Sequence, residues 1–183
     1  MLLFPELLES GRLILRRYTA EDAPGLLELV HHNREQLIRE FAQLANLRDP
    51  DAASSFLQEK SAQWTAGKTF CYGIWRKGAQ PQIGQIQVKN IAWEIPSAEL
   101  GYFIGASWQR QGYASESINA ILRLTLQQLN FCRIFVRILP ANHNSFLLAK
   151  KLGFHEEGLH RNAFRCGLGE LHDVRYLSLT SAP

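Results

Sequence analysis

The sequence predicts a single domain of mixed α and β structure, covering residues 1–183. Three observations support this fold class. Segments whose apolar residues recur every three or four positions are interspersed with segments rich in aromatic and β-branched residues. The chain has 183 residues, which is a usual size for one domain. Its composition, 46% hydrophobic and 20% charged residues, allows a buried core and excludes disordered and collagen-like chains.

The amino-terminal third predicts one strand followed by three helical segments. The strand is residues 12–18, where aliphatic residues alternate with charged or small ones. A threonine N-cap begins a helix over about residues 19–32, and a second helical pattern covers residues 34–44. Residues 49–50, Asp-Pro, match a cap followed by proline at the first helical position, so we expect a third helix before residue 67.

The middle of the chain predicts an antiparallel meander and then a long helix. Residues 69–76, 83–88 and 98–104 are rich in aromatic and β-branched residues, which favours strands. Between Gly112 and about Asn130 the apolar residues form one stripe at helical spacing instead. The pattern therefore changes from the period of a strand to that of a helix.

The carboxyl-terminal third predicts a strand, a short helix and a closing hairpin. The strand is residues 133–138 and the helix is residues 145–152, which end at a glycine. The hairpin pairs residues 157–164 with residues 173–179. No internal repeat or linker interrupts this order, so the whole chain fits one α/β domain.

Charge and cysteine content exclude several classes of protein. The net charge of +3 is spread along the chain, so no clustered basic face indicates nucleic-acid binding. No apolar run approaches the ~20 residues of a membrane span, and residues 1–8 lack the basic start of a signal peptide. Cys71, Cys132 and Cys166 are widely spaced, which indicates neither a disulfide framework nor a zinc cluster. We therefore expect a cytoplasmic protein without a metal.

A candidate anion site lies between the strand that ends near residue 104 and the long helix. In residues 109–114, Gln-Arg-Gln-Gly-Tyr-Ala, Gly112 permits a tight turn and Ala114 allows a ligand to approach closely. Backbone N–H groups at a helix N-terminus bind phosphates, so a pyrophosphate is the expected ligand. The alternative is a helix start with a glycine for steric reasons. The segment matches neither a P-loop nor the Gly-x-Gly-x-x-Gly fingerprint.

The pattern Gln109-x-x-Gly112-x-Ala114 resembles the Gln/Arg-x-x-Gly-x-Gly/Ala motif of the GNAT superfamily of acetyl-CoA-dependent N-acetyltransferases. Further segments resemble the RimJ/RimL branch, which includes enzymes that acetylate the N-termini of ribosomal proteins. In chain order they are Leu8–Arg16 with Glu21-Asp22, Glu99–Ile104, Asn142-x-x-Ser145, Lys151–Phe154, Glu157-Gly158 and Asp173. The resemblance covers residues from about 7 to 180.

The resemblance implies a fold and a cofactor site. It implies a seven-stranded mixed, largely antiparallel sheet whose fourth and fifth strands splay apart, with acetyl-CoA entering the gap. The backbone of Phe103 and Ile104 would bind the pantetheine arm, as an added strand does at a sheet edge. Asn142 would contact the same arm, or it caps the following helix. The pyrophosphate would be held by Gln109, Arg110, Gln111, Gly112, Tyr113, Ala114 and Ser115.

The resemblance also implies candidates for the chemistry. Ser145 matches the serine of this branch and would give a proton to the leaving thiolate, because the tyrosine that many relatives place four residues later is Ala149 here. The alternative for Ser145 is a helix cap. Glu99 would accept a proton through water or position the amine, or it pairs with an arginine. His160 and Asp173, on the terminal hairpin, are further candidate bases.

The sequence therefore predicts an N-acetyltransferase that uses acetyl-CoA, no metal and a primary amine, which we expect to be a protein N-terminal α-amine. One alternative is a small-molecule amine such as a polyamine, an amino acid or an antibiotic. Another is a non-catalytic acyl-CoA-binding module, which would bind CoA without turnover. The expected assembly is a monomer or homodimer, without a nucleic-acid or membrane partner.

Overall fold

One sheet of eight strands runs through residues 4–181, the part of the chain that the computed structural model describes. Residues 1–3 and 182–183, at the ends of the expected domain and of its opening segment, lie outside it. The strands are β1 (Leu7–Glu9), β2 (Leu13–Arg17), β3 (Phe70–Arg76), β4 (Gln82–Ala92), β5 (Ser97–Ile104), β6 (Arg133–Ile138), β7 (His155–Arg165) and β8 (Leu171–Thr180). Their spatial order is β1-β2-β3-β4-β5-β6-β8-β7. All neighbours are antiparallel except β5 and β6.

The mixed, largely antiparallel sheet confirms the predicted fold class, with eight strands instead of seven. The additional strand is β1, which pairs with β2 over Leu7–Glu9. Its three residues are too few to show an alternating pattern in the sequence. It forms because the edge of β2 offers free backbone groups, and Arg17 N donates to Glu6 O at 2.7 Å just beyond the pair.

In the described part of the chain five α-helices flank the sheet, and the first of them corrects a prediction. They are α1 (Ala23–Glu40), α2 (Ala42–Ala45), α3 (Pro50–Thr65), α4 (Tyr113–Leu122) and α5 (His143–Lys151). The expected break near His32 is wrong, because α1 continues through Asn33. The Asn33 side chain is buried, donates to Leu29 O at 2.7 Å and accepts from Ala106 N at 2.7 Å. Because these bonds satisfy the side-chain amide of Asn33, this residue does not end the helix.

The long helix predicted over residues 112–130 changes its winding partway. It is α-helical to Leu122 and then forms a wider π-helical segment over Arg123–Gln128. Thr125 Oγ1 donates back to Ile121 O at 2.8 Å in this region, a bond that often bends a helix. The apolar stripe remains on the sheet side.

Two apolar clusters cover the two faces of the sheet. Along β3, Tyr72 and Ile74 belong to one cluster, while Cys71 and Trp75 belong to the other, as the alternation of a strand requires. The cluster with Tyr72 is completed largely by α4, and the cluster with Cys71 by α1, α2 and α3. Within residues 4–181 we find no helix that is long and apolar enough to cross a bilayer.

The two halves of the sheet diverge between β5 and β6. These parallel strands pair only where Ser97–Glu99 lie beside Arg133–Phe135, and beyond Glu99 and Phe135 they are no longer paired. The remainder of β5, to Ile104, therefore has an open edge on the β6 side. This gap confirms the expected splay and places the start of α4 and of α5 beside it.

Candidate active site

Two cavities meet where β5 and β6 diverge. The larger, ≈410 Å³, extends from the start of α4 to α5. The smaller, ≈70 Å³, lies between β5, β6 and the β7–β8 hairpin. Both are lined by Glu40, Phe41, Tyr102 and Ser145, which we call the junction. A ligand that fills the larger cavity would therefore present its inner end to the smaller one.

The start of α4 forms a cradle of free backbone donors at the outer end of the larger cavity. In residues 4–181 no carbonyl or side chain accepts from the backbone N–H groups of residues 110–115. Gly112 has φ +83°, in the left-handed region that favours glycine, and Arg110 has φ +60°. Unpaired N–H groups at a helix N-terminus, with the helix dipole behind them, attract a phosphate.

Most of the residues predicted for the pyrophosphate come together in this cradle. Those that line the larger cavity are Gln109, Arg110, Gly112, Tyr113, Ala114 and Ser115. Gln111 does not line the cavity, and its side chain donates to Ser107 O at 3.1 Å. The Gln109 side chain donates to Ile104 O at 3.0 Å and thereby fixes the cradle to the end of β5.

The cradle is also fixed to the β1–β2 turn. Arg12 donates to Gln111 O at 3.1 Å, and its Nε lies 2.7 Å from Oε2 of Glu116 in the first turn of α4. Glu116 also accepts from Ser10 Oγ at 2.6 Å. These bonds hold the glycine turn in place before a ligand binds.

The open edge of β5 offers backbone groups for the pantetheine arm. Gly105 N donates to Ile83 O at 2.8 Å, and hydrogen-bonded pairs alternate along an antiparallel ladder. This alternation turns the backbone of Phe103 towards β4, and that of Tyr102 and Ile104 towards the gap. Of the two predicted residues, Ile104 is therefore better placed for the arm than Phe103.

Asn142 is the N-cap of α5, which was the alternative interpretation of this residue. Its Oδ1 accepts from Ser145 N at 3.0 Å, and its Nδ2 donates to both carboxylate oxygens of Glu40 at 2.8 Å. Asn142 lines the larger cavity as well, so its contact with the pantetheine arm stays a prediction.

Ser145 lies at the junction, next to Tyr102. Because Asn142 is the cap, the alternative interpretation of Ser145 as a helix cap is wrong, and Ser145 lines both cavities. The Tyr102 hydroxyl is buried next to the Ser145 side chain, but the two do not form a hydrogen bond of good geometry. Burial raises the pKa of Tyr102 to about 12. Such a phenol stays neutral and is suited to donate a hydrogen bond to developing negative charge.

Glu99 lies on the wall of the smaller cavity and is already paired. It is 4% exposed. Its Oε1 lies 3.0 Å from Arg137 Nε and 3.3 Å from Lys89 Nζ, and Oε2 accepts from Asn90 at 2.6 Å. Both carboxylate oxygens are occupied by these partners, which favours the predicted pairing with arginine over proton transfer.

The candidate bases on the hairpin lie apart from the junction. His160 stacks on Tyr176 with a centroid distance of 4.0 Å, and Asp173 accepts from Asn162 N at 2.9 Å. Neither side chain lines either cavity. The hairpin contributes apolar groups there instead, Phe164 and Val174.

Apart from Phe41, sequence reasoning missed two polar members of the junction, Tyr102 and Glu40. Tyr102 is part of the Glu99–Ile104 segment, but only the folded structure shows that it lines both cavities. Glu40 was placed inside a helix running to residue 44, whereas α1 ends at Glu40 itself. Nothing in the local pattern signals this carboxylate, because its neighbours come from the distant residues 102 and 142.

Comparison with known proteins agrees with this site. Residues 12–155 match the acetyltransferase (GNAT) domain family. The chain is 30% identical over 159 residues to YoaA, an uncharacterised N-acetyltransferase of Bacillus subtilis (strain 168), covering 87% of this chain and 88% of that protein. It is also 30% identical over 93 residues to the [ribosomal protein uS5]-alanine N-acetyltransferase of Escherichia coli (strain K12), covering 50% of this chain and 48% of that protein.

Solved structures show the same fold. A RimL ribosomal L7/L12 α-N-protein acetyltransferase in complex with coenzyme A superposes with a TM-score of 0.88 at 22% identity, covering 96% of this chain and 98% of that chain. The microcin C7 self-immunity acetyltransferase MccE, in complex with acetyl-CoA and AMP, gives a TM-score of 0.88 at 21% identity, with 98% of both chains covered. Together with the free donors of the cradle and the gap that continues from it, these matches show that the chain belongs to the GNAT family and is an acetyl-CoA-dependent N-acetyltransferase.

Proposed function

We propose that this N-acetyltransferase acetylates the α-amine of a protein N-terminus, with ribosomal proteins as the acceptor class. The observation that carries the proposal is the size of the smaller cavity, ≈70 Å³. Because a single water needs about 10–15 Å³ measured in this way, the cavity admits a small first residue with its amine but not a whole aminoglycoside. The partial similarity to the uS5-alanine enzyme supports the same class of acceptor.

The proposed reaction is direct attack in a ternary complex. The cradle and the open edge of β5 hold acetyl-CoA, which supplies the activated acetyl group. Ser145 gives a proton to the departing thiolate, and Tyr102 donates a hydrogen bond to negative charge that develops at the junction. Glu99 positions Lys89 and Arg137 along the acceptor wall and does not act as an obligatory base.

We further propose that residues 1–183 act as one catalytic unit, as a monomer or homodimer in the cytoplasm, where ribosomal proteins are made. The continuous sheet across residues 4–181 supports the single unit. Light scattering at the concentration used for kinetics measures the assembly state.

Acetyl-CoA turnover against a panel of amines tests the acceptor. The panel contains ribosomal-protein N-terminal peptides, the same peptides with blocked N-termini and an internal lysine, polyamines and aminoglycosides. We expect turnover with free N-termini only, with the product located by mass spectrometry. Equal acetylation of the blocked peptides, or turnover confined to polyamines or aminoglycosides, would overturn the N-terminal assignment. Binding of CoA without turnover of any amine would favour the non-catalytic alternative.

A further inference from the structure

Glu40 is a carboxylate at the junction without a cationic partner. It is the last residue of α1 and is half-buried. Its contacts are the two bonds from Asn142 Nδ2, each 2.8 Å. Within residues 4–181 no Lys, Arg or His side chain forms an ion pair with it. A carboxylate has about four acceptor sites, so each oxygen keeps capacity for a further donor.

The other charged groups around the two cavities are either committed or lie at their far ends. Glu99, Lys89 and Arg137 form the paired group on the sheet wall. The remaining charged or titratable groups that line the cavities with Glu40 are Tyr102, Arg110, Tyr113 and Lys151. Arg110 belongs to the cradle, and Lys151 is on the last turn of α5. At the junction, the Glu40 carboxylate is therefore the group that lacks a counter-ion.

A partly desolvated carboxylate without a counter-ion is unfavourable unless a ligand supplies one. Burial raises the pKa of Glu40, although the Asn142 bond opposes this effect. A carboxyl group with a raised pKa is a better base than an exposed one, and its position on both cavities places it between donor and acceptor.

We propose that Glu40 binds the ammonium group of the acceptor at the junction and accepts its first proton. The inference rests on the proposed function, because it assigns a residue to the acceptor side of that same site. Glu40 is then a catalytic residue, and the acceptor binds as a cation before the reaction. Asn142 is then a positioning residue, because it links the Glu40 carboxylate to the turn of α5 that carries Ser145.

The protons and bonds balance as follows. The acceptor enters as R–NH₃⁺ and gives one proton to the Glu40 carboxylate, which leaves a neutral amine. The nitrogen lone pair then forms the N–C bond at the thioester carbonyl, and the C–S bond breaks with its electron pair remaining on sulfur. The nitrogen gives its second proton to the Ser145 oxygen, which passes its own hydroxyl proton to the thiolate. The products are the amide, the free thiol and a protonated Glu40, which returns its proton to water.

The test is the pH profile of kcat/KM for the acceptor in wild type, Glu40→Gln and Glu35→Gln. Glu35 is exposed on the same helix and gives the matched control for charge removal. If Glu40 binds the ammonium form, the wild-type profile is bell-shaped: it rises as Glu40 ionises and falls as the amine loses its proton, near pH 7.7–8.0 for an α-amine. Glu40→Gln must use free amine, so its profile rises through the amine pKa without the fall.

At pH 7 we expect Glu40→Gln to lower kcat/KM for the amine by about 10²-fold or more. The Kd for CoA, measured by calorimetry, stays unchanged because Gln keeps an acceptor for Asn142 and the cradle is distant. Glu40→Asp recovers part of the bell-shaped pH profile, and Glu35→Gln retains the whole profile. A Glu40→Gln profile with the shape and height of wild type would overturn the inference. The assay uses whichever amine of the panel turns over, so a different acceptor overturns the N-terminal assignment and still tests Glu40.

Discussion

Replacing Gly112 by alanine should weaken CoA binding through the backbone alone. At φ +83° an L-residue is strained by about 1–2 kcal/mol, and the added Cβ would lie 3.3 Å from Arg12 Nη2. In a protein of this size that strain lowers Tm by roughly 2–8 °C. Relief of the strain rotates the N–H groups of the cradle. Losing one hydrogen bond to a charged phosphate costs about 1.5–3 kcal/mol, which is roughly 10- to 150-fold in Kd.

The matched control is Gly78→Ala. Gly78 has φ +72° with nothing near its Cβ position, and it lies in the exposed turn after β3. Both variants should lose similar stability by calorimetric melting, but only Gly112→Ala should lose affinity in a CoA titration. If the two variants bound CoA equally well, the cradle would not depend on the left-handed turn, and the assignment of the pyrophosphate to it would be wrong.

Three further variants test other parts of the structure. Ser145→Ala should lower kcat by about 10²-fold with little change in the KM for acetyl-CoA, because the hydroxyl acts in the transition state; an unchanged kcat in a chemistry-limited assay would remove its role. Tyr102→Phe deletes a buried hydroxyl that makes no hydrogen bond of good geometry, so Tm should change little while kcat falls at least about 10-fold; a loss of both would indicate a structural role. The Glu157 carboxylate has its pKa lowered to about 2 by Arg133 and Ser178. The contribution of the ionised Glu157 to the free energy of unfolding is therefore complete above its ordinary pKa of 4.5 and disappears as the pH falls towards 2. Glu157→Gln should lower stability by under about 1 kcal/mol at pH 7, since the pair is exposed, and melting curves should converge with wild type in acid; a constant difference would contradict this.

Local sequence patterns predicted the elements that depend on neighbouring residues. Alternating, aromatic and β-branched residues located β2 to β8, and the turn around Gly112 was recognisable because glycine is favoured in a left-handed backbone at the start of a helix. The short β1 and the continuity of α1 through Asn33 could not be predicted. β1 pairs with the next strand, β2, but its three residues are too few to show an alternating pattern. The continuity of α1 depends on the backbone of Ala106, which is 73 positions from Asn33.

The candidate chemistry divides in the same way. Ser145 and Glu99 could be named from motifs. The partner of Glu99 could not, since the ion pair with Arg137 joins β5 to β6. The proximity of Glu40 to Asn142 joins residues 102 positions apart. No window of the sequence contains both, so the acceptor side of the site became visible only in the fold.

The link between Ser10 and Glu116 sets an order of events during synthesis. The two residues are 106 positions apart, and Glu116 holds the β1–β2 turn against the first turn of α4. At about 5–20 residues per second, the ribosome needs roughly 5–20 s to make the chain between them. Until Glu116 has been made, the turn between β1 and β2 cannot bind the start of α4. Shortening the chain past Ser10 should therefore impair CoA binding, although none of residues 4–12 lines either cavity.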